Sequence, residues 1–188
     1  RDNTLQYPFQ TSWGASTRLI GAIIMTHSDN HGLVLPPVIA PTQVVVIPIA
    51  QHKPGVLDAA AALKDRLTAA GLRVAMDDSE QSAGWKFAQY EMKGVPLRVE
   101  IGPKDMEKEQ CCVARRDTGE KTFVPLAGLE DAIKGLLQDV HDNLYNMAAK
   151  NLEENTFDMT DWQEVKAMAD GKGGLARTKW CGSLECEL

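Results

Sequence analysis

Residues 43–49 (QVVVIPI) constrain the fold most. The run is almost wholly apolar and largely branched at Cβ, with no polar alternation, which suits a strand buried on both faces. Such a strand needs helices on both sides of its sheet. The following segments supply them. Residues 55–70 place Ala59, Leu63, Leu67 and Ala70 at helical spacing, and Gly71 is a C-terminal stop. Residues 72–76 predict a second strand, and residues 82–92 a helix that stops near Gly94. Leu97, Arg98, Val99, Glu100 and Ile101 alternate like a strand, and Gly102-Pro103 predicts a turn after it. Residues 111–115 and 122–126 predict two short strands joined through Asp117-Thr118-Gly119, a turn composition. Strands alternating with helices define an α/β fold, with a mixed, mostly parallel five-stranded sheet flanked by helices.

From Leu129 the apolar positions Ile133, Leu136, Leu137, Val140, Leu144 and Met147 repeat every 3.6 residues, which predicts a long helix. Thr160-Asp161-Trp162-Gln163 has the form of a capping box, with Thr160 as N-cap and Gln163 at the third helical position. Gly171, Gly173 and Gly174 close that helix. Pro36-Pro37 and Pro41 read as a linker, because proline disfavours helix and central strand alike. Three domains are expected: residues 1–42, 43–145 and 146–188, the last a small α+β unit.

No run of eighteen apolar residues is present to span a membrane. The chain starts at Arg1 without a signal segment, and reads as an internal or C-terminal piece of a longer polypeptide. Four cysteines are too few for a disulfide scaffold, so a reducing, cytoplasmic setting is expected. The formal net charge of −6 argues against a broad electrostatic grip on nucleic acid. Residues 86–121, however, carry eight Lys/Arg against seven Asp/Glu. That balance fits a local site read by contact.

Two strings carry chemistry. The first is Thr11-Ser12-Trp13-Gly14-Ala15-Ser16-Thr17-Arg18-Leu19-Ile20-Gly21, followed by His27-Ser28-Asp29-Asn30-His31-Gly32-Leu33-Val34-Leu35-Pro36-Pro37. On pattern alone, Trp13, Leu19, Ile20 and Ile23 also fit a core strand and helix with Arg18 on the surface. His27, Asp29 and His31 are ligand types, but their i, i+2, i+4 spacing suits a polar turn better than a metal site. The second string is Gly94-Val95-Pro96-Leu97-Arg98-Val99-Glu100-Ile101-Gly102-Pro103-Lys104-Asp105, with Arg115-Arg116-Asp117-Thr118-Gly119-Glu120-Lys121 after it.

The first string resembles motif 3 of class II aminoacyl-tRNA synthetases, in the form used by prolyl-tRNA synthetases of the eukaryote/archaeal-like type. The resemblance implies that residues 1–42 are the tail of the class II antiparallel catalytic domain. It implies that Arg18, with Ser16 and Thr17 beside it, meets ATP. A forked, permanently charged guanidinium suits phosphate and can stack on adenine. Ser12, Trp13 and Gly14 would wall the proline pocket. Magnesium would accompany the nucleotide.

Residues 43–126 resemble the anticodon-binding domain shared by the synthetases for proline, threonine, histidine and glycine. Sequence-specific RNA reading targets splayed single-stranded bases, and proline anticodons end in two guanines. Lys104 at a strand end offers a donor to guanine O6 and N7, and Asp105 accepts from its N1 and N2 hydrogens. By family position Glu91 is a base-edge acceptor and Lys121 a base or phosphate contact. Arg98, Arg115 and Arg116 are backbone contacts. Each of these charges also fits a solvated surface, and Arg98 and Glu100 share a strand face on which they could pair.

Cys111 and Cys112 are adjacent in a strand and point to opposite faces, which suits core thiols. Cys181 and Cys186 beside Trp180 resemble the first half of the zinc site in the C-terminal domain of the eukaryote-like prolyl enzymes. A second pair is absent from these residues, and structural zinc takes four ligands. The resemblance implies a proline–tRNA ligase with tRNA(Pro), L-proline and ATP as partners. It implies a homodimer formed through the remaining catalytic part. The first two class II motifs are not in these residues, so the chain alone is expected not to make prolyl-adenylate. The competing expectation is a non-catalytic RNA-binding accessory module.

Overall fold

The apolar run becomes strand β1 (Val44–Pro48), and all five of its residues are buried. Burying each of Val44, Val45, Val46 and Ile47 contributes roughly 1.5–3 kcal/mol relative to leaving it in water. The computed structural model describes residues 3–179 and 181–183. After β1 come α2 (Val56–Ala69), β2 (Val74–Met76), α3 (Ala83–Met92), β3 (Leu97–Ile101), α4 (Pro103–Glu107), β4 (Gln110–Arg115), β5 (Lys121–Pro125) and α5 (Leu129–Glu154); α1 (Arg18–His27) precedes it.

The sheet order is β2-β1-β3-β4-β5. β1 pairs in parallel with both β2 and β3. β4 is antiparallel to β3 and to β5, so only β4 runs against the others. The chain steps from β1 to β2 on one side, then returns past β1 to β3 on the other. Right-handed crossovers in opposite directions put their helices on opposite faces. Accordingly Ala60, Leu63 and Leu67 of α2 join Val44, Val46, Leu97, Val99 and Ile101 in one core, with Ile133, Leu137 and Val140 of α5. Val45, Ile47 and Val95 form a smaller core on the other face, against Phe87 and Tyr90 of α3.

α3 packs on β1 and reaches β3 through Phe87 and Glu91, both in contact with Arg98. Register places Arg98, Ala114 and Lys121 in one cross-strand row, and Glu100, Cys112 and Phe123 in the next. Arg98, Glu100, Cys112 and Ala114 are buried, whereas Lys121 and Phe123 of β5 are exposed, Phe123 to 61%, so this face opens only along its β5 edge.

Two local expectations are corrected. Gly102-Pro103 does not make a simple turn; it opens the short helix α4, with Pro103 at the first helical position and Asp105 capping. Proline is favoured there because its fixed φ suits the first turn. The N-cap of α6 (Trp162–Asp170) is Asp161 and not Thr160; its carboxylate accepts from the Gln163 amide at 2.9 Å. The long helix expected from Leu129 is found and runs to Glu154, through the boundary placed at 145. Its last buried residue is Leu144, so packing on the sheet stops where that boundary falls. Beyond it, β6 (Thr156–Asp158) and β7 (Leu175–Arg177) form a two-stranded parallel sheet connected through α6.

Among the described residues ahead of β1, regular structure is α1 and one isolated bridge between Asp29 and Gly32. None of α1's ten residues is buried. The antiparallel sheet implied for this region is therefore not made by these residues among themselves.

Candidate nucleic-acid interface

The β3–β5 half of the sheet carries a linear charge network. Arg98 Nε donates to Glu100 Oε1 at 3.0 Å, and its Nη1 donates to Glu91 Oε1 at 3.1 Å. Lys121 Nζ lies 3.1 Å from Glu100 Oε1. The order is Glu91, Arg98, Glu100, Lys121. Phe87, one helical turn before Glu91 on the same face of α3, lies beneath it: the Arg98 guanidinium is 4.0 Å and Lys121 Nζ 5.2 Å from the ring centroid.

Exposure divides this network. The Arg98 and Glu100 side chains are only 9% and 11% exposed, whereas Glu91 and Lys121 are 43% and 49% exposed. The middle pair is therefore internal, and the expected pairing of Arg98 with Glu100 is found. The two ends are open: a carboxylate acceptor at one and an ammonium donor at the other. Arg98, expected on the RNA backbone, instead aims Glu91.

Lys104 and Asp105 sit on α4, past the far end of β3, roughly 13 Å along the strand from its start. Lys104 is exposed. Asp105 is partly committed, since its Oδ2 accepts from the Gly102 amide at 3.0 Å. The structure thus brings Glu91, Arg98 and Lys121 together and sets Lys104 and Asp105 apart, beyond the C-terminal end of β3.

Arg115 and Arg116 are turned inward. Arg115 makes two bonds to Asp117, at 3.0 and 2.7 Å, and Asn143 of α5 donates to the same carboxylate at 2.7 Å. Burial alone would raise the Asp117 pKa, but these hydrogen bonds outweigh it and hold the group below its ordinary value. Arg116 Nε donates to the Glu91 carbonyl at 2.9 Å, while both Nη atoms grip Asp29 at 2.8 and 2.7 Å. Its side chain is 6% exposed, so the phosphate contact expected of Arg116 gives way to an internal brace. The hydrogen bond from Arg116 holds Asp29 well below the usual carboxylate range.

Asp29 belongs to the expected polar turn, where its Oδ1 also accepts from the His31 amide at 2.8 Å. No group of three or more metal-ligating side chains occurs among the described residues. The turn lies on the α3–β3 connection through a close backbone seam. Leu33 donates to the Met92 carbonyl at 3.0 Å and Leu35 to Gly94 at 3.4 Å. Gly32 and Gly94 have φ of +132° and +70°, and a Cβ on either would fall within 2.5–2.8 Å of Met92 or Leu33 backbone atoms. Beside the seam lies a cavity of about 310 Å³, bordered by Asp29, Glu91, Arg98 and Arg116.

In the upstream string, Ser16 and Thr17 lead into α1 and Arg18 is its first residue. The Arg18 amide faces Ser16 Oγ at 3.4 Å. Ser12, Trp13 and Gly14 are exposed and outside regular structure, with Trp13 94% exposed. These residues enclose no pocket by themselves.

Cys111 and Cys112 are buried, and burial pushes the Cys111 thiol up to about 12, as befits an inert core group. Cys181 is exposed, and Cys186 and Trp180 lie outside the described residues. The expected Cys181–Cys186 half-site thus lies partly outside the described residues, and no step is assigned to zinc. No helix among the described residues is long and apolar enough to cross a membrane.

This face therefore presents an exposed carboxylate at one end of the network and an exposed ammonium at the other. A family model described as "Anticodon binding domain" matches residues 43–136, and the chain belongs to that family. Over 100% of its length it is 51% identical to Proline–tRNA ligase 2 of Bacillus anthracis, spanning 37% of that protein. It is 52% identical to Proline–tRNA ligase of Oceanobacillus iheyensis and 53% identical to that of Acetoanaerobium sticklandii, in each case across 100% of this chain and 39% of the relative. These relationships bear out the resemblance to the C-terminal portion of prolyl-tRNA synthetases. The chain spans under two fifths of the length of these curated relatives.

Sequence reasoning passed over Phe87 and the pairing of Asp29 with Arg116. Phe87 was findable, since it stands four positions before Glu91 on one helix. The pairing was not, because Arg116 lies 87 residues from Asp29.

Proposed function

We propose that this chain is the anticodon-reading part of a proline–tRNA ligase. The observation that supports it most is the Glu91–Arg98–Glu100–Lys121 network on the β3–β5 sheet face of an anticodon-binding fold. A fixed, exposed carboxylate accepts from the adjacent N1 and N2 hydrogens of guanine; adenine has no such pair of donors on that edge. Glu91 takes this role, and Lys121 meets a base acceptor or a phosphate. Lys104 and Asp105, beyond the C-terminal end of β3, meet the neighbouring base. Residues 43–145 form the reading domain, and residues 146–188 a separate C-terminal unit.

The longer protein joins proline to ATP, giving prolyl-adenylate and pyrophosphate, and passes proline to the terminal ribose of tRNA(Pro) with release of AMP. Arg18, at the first turn of α1, supplies positive charge toward the nucleotide phosphates. The amides opening that helix point the same way. Ser16 and Thr17 stand beside it, and Ser12, Trp13 and Gly14 border proline once the rest of the pocket is present. Magnesium travels with ATP, and no residue of this chain is assigned to hold it. The setting is the cytoplasm and the assembly a homodimer.

The test is a titration of the chain against a proline anticodon stem-loop and against variants with each guanine replaced by adenine, at fixed near-physiological salt. The expected loss is about 1–3 kcal/mol per replaced base, and Glu91→Gln should abolish it at one guanine. Equal binding to all the RNAs would overturn the reading and favour a non-catalytic RNA-binding accessory module.

A further inference from the structure

We infer that Asp29, outside the matched anticodon-binding segment, is a specificity-determining positioning residue: acting through Arg116, it fixes the end of α3 that carries Glu91. The inference rests on the anticodon-reading role proposed above for Glu91.

Glu91 sits in the last turn of α3. Helix C-termini leave carbonyls without intrahelical donors and fray. Here two of those carbonyls are met from outside the helix: Glu91 by Arg116 Nε at 2.9 Å, in addition to the local Gly94 amide at 3.0 Å, and Met92 by the Leu33 amide at 3.0 Å. A guanidinium at this end also complements the helix dipole.

Arg116 cannot aim itself. Its planar fork has a single Nε–H, whose direction is set by where the two Nη groups are held. Asp29 holds both, at 2.8 and 2.7 Å. A pocket of about 310 Å³ borders Glu91 and Arg116 on this side. The same turn carries Leu33, so both outside donors depend on where residues 29–33 lie. From Asp29 the chain of contacts runs through Arg116 to the Glu91 backbone. The Glu91 side chain is then oriented by Arg98 at 3.1 Å.

The experiment compares the chain with Asp29→Ala and with the charge swap Asp29→Arg/Arg116→Asp, using the guanine-replaced stem-loops and hydrogen exchange. In Asp29→Ala, discrimination at the guanine read by Glu91 should fall at least about fivefold, toward the nonspecific level. Discrimination at the other guanine and the salt dependence should stay. The amides of Lys93 and Gly94 should exchange faster, with the sheet amides unchanged. The swap can rebuild the ion pair but has no Nε–H for the Glu91 carbonyl, so discrimination should remain lost. Wild-type discrimination in either variant, or unchanged exchange at Lys93 and Gly94, overturns the inference. If the wild-type chain binds all RNAs equally, the anticodon reading fails instead, and the exchange data still decide whether Asp29 pins α3.

Discussion

The Arg98 guanidinium lies 4.0 Å from the centroid of the Phe87 ring, stacked between a helix and the sheet. That contact lets an arginine remain almost fully covered while joining two carboxylates. The ring offers its negative face in place of water, which lowers the cost of burying the charge.

Replacing Arg98 by lysine keeps the charge but loses the planar fork and the stacking. One of its two carboxylate partners is left without its bond in a nearly buried setting. Arg98→Lys should lower stability by about 1–3 kcal/mol, measured as a shift of the urea midpoint at constant m-value.

Lys121 is half exposed and ends the network, so its neutralisation should act on RNA and not on folding. Lys121→Met should reduce the slope of log K against log salt by about 0.7 if it neutralises one phosphate of a single strand. An unchanged slope with lost guanine discrimination would make it a base contact.

The Asp29 carboxyl is held below its ordinary pKa by the hydrogen bond from Arg116. Because the folded value is the depressed one, the pair stabilises the fold fully above the unfolded pKa of about 3.9. That contribution disappears as pH falls through the folded value. The Tm difference between the chain and Asp29→Asn should be constant near neutrality and shrink below about pH 4. A difference that grows on acidification would contradict the pairing.

Gly94 adopts φ +70° with Leu33 backbone atoms where a Cβ would stand. Gly94→Ala should cost roughly 1–3 kcal/mol from the backbone conformation alone. It should also open the seam, seen as faster exchange of the Leu33 and Leu35 amides. Gly119, at φ +72° with open space around it, is the control: alanine there meets the backbone penalty without the collision.

What the sequence disclosed follows the range of each interaction. Val44 to Ile47 announce a central strand because burial on both faces demands unbroken apolarity. The alternation in β3 announces two faces: Leu97, Val99 and Ile101 enter the main core, and Arg98 and Glu100 the other side. Local chemistry was harder where two residues compete for one role. Thr160 and Asp161 are both good caps, and the carboxylate at 161 wins by reaching the Gln163 amide. Pro103 is equally at home in a turn and at a helix start. The seam and the Asp29–Arg116 pair lay beyond any local signal, since they depend on how the turn at 29–33 meets the end of α3.

The continuity of α5 has a mechanical consequence. From Tyr145 to Glu154 the helix projects about 15 Å past its last buried side chain without a break. A rod of that kind has no pivot, so the β6–β7 pair is mounted on it as a crank is on a shaft. Any swivel of the sheet is delivered to its far end as a sweep, magnified by the length of the arm.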